Sequence, residues 1–70
     1  MDSAKITTRD GTIRLGQFLK LANLIESGAD AKRVLTARAV QVNGNVEIRR
    51  GRQLVRGDIV GFDGVNYEVD

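Results

Sequence analysis

The sequence predicts an α+β fold, two packed helices followed by a small, mainly antiparallel sheet. Three observations carry this. Apolar residues recur at helical spacing from Leu15 to Ile25, and again from Ala31 to Leu35. At Val40 the apolar period changes to two. Beyond it, Asn43-Gly44 and Asp63-Gly64 separate short apolar runs, as tight strand connections do.

Near the N-terminus, Lys5-Ile6-Thr7-Thr8 fits a short strand and Asp10-Gly11 a turn. Leu15, Phe18, Leu19, Ala22 and Ile25 then share one helix face, which Leu21 and Leu24 widen, so this helix is expected to be covered on more than one side. Gly28 marks a stop or turn. Ser27 is placed to cap a second helix, with Asp30 reaching back to it. Ala31, Val34 and Leu35 give that helix a narrow apolar stripe, and Lys32 and Arg33 lie off it.

In the second half, Val40 and Val42 alternate with Ala39 and Gln41. Asn43-Gly44 is the strongest hairpin signal, because a type I′ turn needs positive φ at both central residues. Val46 and Ile48 continue the alternation, Arg49-Arg50-Gly51-Arg52 is polar and irregular, and Leu54-Val55 follows. After a turn at Arg56-Gly57-Asp58, Ile59 to Phe62 reads as a strand, and Val65, Tyr67 and Val69 as one face of a last strand.

The 70 residues hold one small domain, 1–70, which would bury only about 60% of its unfolded surface. With no cysteine and no histidine there is no disulfide, no thiolate or imidazole metal site, and no Cys or His nucleophile or base. No acidic pair suggests catalysis, so neither an enzymatic activity nor a cofactor is expected. Without an apolar leader, or a run near the ~20 residues that cross a bilayer, a cytoplasmic location is expected. Net charge is only +2, but its distribution is uneven. From Lys32 to Arg56 the bases Lys32, Arg33, Arg38, Arg49, Arg50, Arg52 and Arg56 face one acid, Glu47, whereas Asp58, Asp63, Glu68 and Asp70 follow with no base among them. A basic middle segment is an electrostatic footprint for a polyanion, or else a solvated positive face.

The ordered set Arg14-Leu15, Phe18-Leu19, Ala31 with Val34-Leu35, Val40-Gln41-Val42-Asn43-Gly44 and Gly57-Asp58-Ile59-Val60 resembles the S-four-like RNA-binding domain, also called the alpha-L motif. The resemblance spans a motif core of about 13–60 and is closest to the short stand-alone bacterial YbcJ-like group, where Arg49 to Arg52 also has a counterpart. It implies two helices on a small sheet, with the RNA surface formed by the start of the first helix, the second helix and the hairpin loop. By position it assigns Arg14, Lys32, Arg33, Asn43, Gly44, Arg49, Arg50, Gly51 and Arg52 to that surface. Three positions depart from the pattern: Gly16 stands where many members have an acid, Gly28 where many have arginine, and Arg38 where many have glycine.

Each assignment has a plainer alternative. Arg49, Arg50 and Arg52 can bind phosphate bidentately, with Gly51 letting the backbone approach, or they solubilise a loop. Lys32 and Arg33 line the same groove or form an ordinary exposed helix face. Arg38 replaces a lost positive charge, at the cost of mild αL strain, or complements a helix C-terminus. Arg14 contacts RNA or pairs with an acid, and Asn43-Gly44 is turn chemistry before it is contact. Phe18, Phe62 and Tyr67 are expected in the core, so recognition should follow the shape of structured RNA, ribosomal or transfer, rather than stack on single-stranded bases. The expected protein is a monomer that binds RNA, with the ribosome and a separate RNA-modifying enzyme as further partners. The alternative is a protein-interaction adapter, docking through an edge on its acidic C-terminal strand.

Overall fold

The computed structural model describes residues 4–70. It is built around strands. β1 (Ala4–Ile6) and β2 (Thr12–Arg14) precede the helices α1 (Leu15–Leu21) and α2 (Gly28–Thr36), and β3 (Val40–Val42), β4 (Asn45–Val46), β5 (Gln53–Val55), β6 (Ile59–Phe62) and β7 (Val65–Val69) follow them. The expectation of two helices followed by a small sheet is therefore corrected. The helices are short insertions between strands, and one sheet has five strands in the order β1-β7-β6-β3-β4. A second sheet pairs β2 with β5. The first sheet is closed by a parallel pair, with Ile6 opposite Val69.

That pairing also removes the expected docking edge. β7 lies between β1 and β6, so the acidic C-terminal strand has neighbours on both sides, and the edges are β1 and β4. The Thr8 N–H and hydroxyl both donate to the Asp70 carbonyl, at 2.7 and 3.0 Å, and so tie the two ends of the described chain together.

The sequence places the two hairpin turns correctly. Asn43-Gly44 (φ 52° and 86°) and Asp63-Gly64 (φ 53° and 78°) have the positive dihedrals of type I′ connections, where asparagine, aspartate and glycine cost least. Asn43 is bound in further: its side chain donates to Asp58 Oδ1 at 3.1 Å and accepts from the Ile59 N–H at 2.9 Å.

α1 is shorter than its apolar period suggests. Asn23 takes φ 62° immediately after the helix, so the chain leaves it there and not at Gly28. Ile25 is still buried, but from the connection. Leu21, expected on a covered face, is half exposed. α2 starts at Gly28 with Ser27 as its cap, accepting from the Asp30 N–H at 3.3 Å. Asp30 reaches back one residue beyond the cap, to the Glu26 N–H. Leu15, Phe18 and Leu19 of α1 and Ala31 and Leu35 of α2 pack with Val40, Val42, Leu54, Val60 and Val69 of the sheets into one core. Phe18 is fully buried, and Phe62 and Tyr67 pack against this core partly buried.

Candidate nucleic-acid interface

The loop from Glu47 to Arg52 joins β4 to β5 and lies on the start of α1. A helix leaves its first N–H groups without intrahelical partners. Here the loop supplies them: the Leu15 N–H donates to the Arg52 carbonyl at 2.8 Å, and the Gly16 N–H to the Arg50 carbonyl at 2.9 Å. Arg14, the N-cap residue, has no capping side chain. Instead its Nη1 donates to the Gly51 carbonyl at 2.8 Å, clamping the loop from the other side.

The loop is organised by a residue that sequence reasoning did not single out. Glu47 is buried, and its side chain is only 8% exposed. Its Oε2 accepts from the backbone N–H groups of Ile48 and Arg49 and from Arg49 Nε, each at 3.0 Å. Its Oε1 accepts from Arg49 Nη2 and Arg52 Nη1, both at 3.0 Å. The Arg49 side-chain bond, then its backbone N–H, then Arg52 hold the carboxyl far below the usual carboxylate range, against the opposing effect of burial. The same pairing raises the Arg49 guanidinium above its ordinary value. The alternation through Val46 and Ile48 is thereby inverted: both apolar side chains face solvent, and the acid between them faces in.

Arg49 and Arg52 keep donors for a ligand. Glu47 engages two of the five N–H donors of Arg49 and one of those of Arg52. The Arg49 side chain is 73% exposed and that of Arg52 is 33% exposed. The loop thus presents guanidinium groups that are fixed in place but still face water. Fixing them lowers the side-chain entropy lost on binding.

The other candidates divide. Arg14, Arg49, Arg50, Gly51 and Arg52 are brought together at the start of α1. Lys32 lies one turn beyond Gly28, about 40° further round α2, and is exposed on that side. Arg33 lies about 140° round from Gly28. It pairs with Asp30 at 2.7 Å and borders grooves next to Phe62. The structure therefore does not place Arg33 with the loop. Arg38 is exposed with φ 60°, an αL residue closing α2. The hydrogen bonds of Asn43 go to Asp58 and Ile59 rather than to the loop, and Gly44 has open space around it. Among the described residues there is no cluster of metal-ligating side chains, and no helix is long and apolar enough to cross a membrane.

Comparison with known proteins matches residues 6–70 to the family model for the S4 domain. The chain is 52% identical over 52 residues to "Probable ribosome maturation protein RlbA" of Bacillus subtilis (strain 168), covering 74% of this chain and 73% of that protein. It is 39% identical over 57 residues to "Putative RNA-binding protein YbcJ" of Escherichia coli (strain K12), covering 81% of each.

Proposed function

The chain belongs to the S4 domain family, and from that premise we propose that it is a non-catalytic RNA-binding module. It recognises structured RNA through phosphate contacts from the arginine loop and the adjoining helix starts. The observation that carries this reading is the loop itself. Three arginines lie on the N-terminal end of α1, Arg49 and Arg50 exposed and Arg52 partly so, and two of them are held by one buried carboxylate.

Recognition by shape rather than by base stacking follows from the aromatics. Phe18, Phe62 and Tyr67 are the only aromatic residues, and all three are buried or partly buried in the core. A surface with no fully exposed ring favours reading an RNA helix through phosphates and 2′-hydroxyls. Ribosomal RNA is the favoured target class, supported by the ribosome-maturation name of one relative, with transfer RNA as the other structured candidate. The absence of histidine and cysteine supports a role in binding alone.

The test is binding of the purified protein to a ribosomal RNA helix-loop fragment and to a duplex DNA of equal length, across a salt series. The RNA is expected to bind more tightly, with affinity falling log-linearly as salt rises. Equal affinity for the two, or no dependence on salt, would refute the reading.

A further inference from the structure

Arg50 is the one arginine of the loop that Glu47 does not hold. Its position is set by something else. A Cβ placed on Gly16 would lie 2.5 Å from Arg50 Cγ and 3.1 Å from Cδ, closer than a side chain could stand. The Arg50 side chain therefore occupies the space that a residue-16 side chain would fill, flat against the start of α1. It continues to the start of α2, where Nη1 lies 3.6 Å from the position of a Gly28 Cβ. The backbone fixes its origin, since the Gly16 N–H donates to the Arg50 carbonyl at 2.9 Å. Its guanidinium makes no ion pair with a described residue. Lys32 stands one turn further along α2 on the same side.

We infer that Gly16 is a positioning residue for RNA binding. Its missing side chain lets Arg50 lie across the starts of both helices, where that single guanidinium contacts the RNA backbone next to Lys32. This rests on the RNA-binding reading above and assigns it a specific residue pair. An arginine projecting freely from a loop would tolerate any small residue at position 16. An arginine laid over residue 16 would not. Gly16 sits inside α1 and has no positive φ, so alanine there is the better helix former, and Gly16→Ala should not weaken the helix itself.

The experiment is a double-mutant cycle, read as affinity and salt slope for the same ribosomal RNA fragment, with folding checked by circular dichroism. Arg50→Ala is expected to weaken binding about tenfold and to lower the salt slope by about one. Gly16→Ala should reproduce most of that loss while Arg50 is present, and should add nothing in the Arg50→Ala background. Should Gly16→Ala fail to fold, the Gly16→Ala, Arg50→Ala double variant serves instead. With the overlying side chain gone it should fold, and it should bind as Arg50→Ala does alone. Native-like binding by Gly16→Ala, or additive losses in the cycle, would overturn the inference and leave RNA binding itself standing. In the fallback, a double variant that still fails to fold, or that binds more weakly than Arg50→Ala alone, would overturn it equally. A native protein that shows no salt-dependent preference for RNA would sink the underlying reading first.

Discussion

The Glu47 carboxylate grips the Arg49 guanidinium with both oxygens, Oε2 on Nε and Oε1 on Nη2, at 3.0 Å each. An acid in the middle of a cationic surface would ordinarily weaken its attraction for a polyanion. Here it gives the loop its shape, because the same two oxygens also hold the Ile48 and Arg49 amides and the Arg52 side chain. Replacing Glu47 with glutamine makes the surface more positive yet should weaken RNA binding. The amide cannot accept all five bonds, and the loop loses its fixed form. A stability loss of about 1–3 kcal/mol is expected, visible as a lower midpoint in urea unfolding, together with weaker RNA binding. Tighter binding by Glu47→Gln would show that charge alone matters.

The same carboxyl sets the acid limit of the fold. The folded Glu47 titrates far below its ordinary 4.5. Asp10, held by the Thr12 hydroxyl, and Asp30, held by Arg33, are also lowered from 3.8. Depressed carboxyl groups add stability above their unfolded values and lose it as pH falls toward the folded ones. Stability should therefore be level from about pH 6 to 8, since there is no histidine to titrate there, and should decline as pH drops below about 4.5. Chemical denaturation at a series of pH values checks this, and Glu47→Gln should flatten much of the acid-side decline.

Lys32 and Arg33 are neighbours in sequence but lie on different sides of α2. Lys32→Ala should weaken RNA binding and lower the salt slope by about one. Arg33→Ala should leave the slope nearly unchanged, because Arg33 faces the Phe62 side and is tied to Asp30. That exposed, solvent-screened pair adds little to stability, so both variants should stay folded. Equal slopes for the two variants would show that α2 does not present one face to RNA.

Arg38 separates stability from binding. It holds φ 60°, where a non-glycine residue is strained by about 1 kcal/mol. Arg38→Gly should be neutral to slightly stabilising in urea unfolding, and should lower RNA affinity only if the Arg38 guanidinium touches RNA. A clear loss of stability would mean that its side chain does structural work beyond closing the helix.

Much of this was legible in the sequence, and the reasons for the remainder are physical. The Asn43-Gly44 and Asp63-Gly64 turns were readable because few residues tolerate their dihedrals. The inward position of Glu47 was readable too, but only by carrying the hairpin register through. A two-residue turn sets Val42 opposite Asn45 and Gln41 opposite Val46, which brings Glu47 to inward-facing Val40, whose carbonyl its N–H meets at 3.0 Å. Counting Val46 and Ile48 as the apolar face gave the opposite orientation. Of the early strands, β1 was legible in part, since the short strand expected at Lys5-Ile6-Thr7-Thr8 overlaps Ala4–Ile6, and β2 was not. β1 and β2 have three residues each, too few for a period, and their partners β7 and β5 are far along the chain. The loss of the docking edge on β7 follows from that same long-range pairing. The seat of Arg50 on Gly16 depends on two segments meeting in space, and local sequence carries no signal for it.

The most direct test of the central claim is the salt dependence of RNA binding for the native chain beside a loop variant in which Glu47, Arg49, Arg50 and Arg52 all become glutamine, so that no buried carboxylate is left unpaired. If the loop is the phosphate-binding surface, the variant folds, and its log-affinity against log-salt slope is shallower by about two to three, in keeping with the loss of up to three phosphate contacts. A folded variant with the native slope and native affinity would contradict the account.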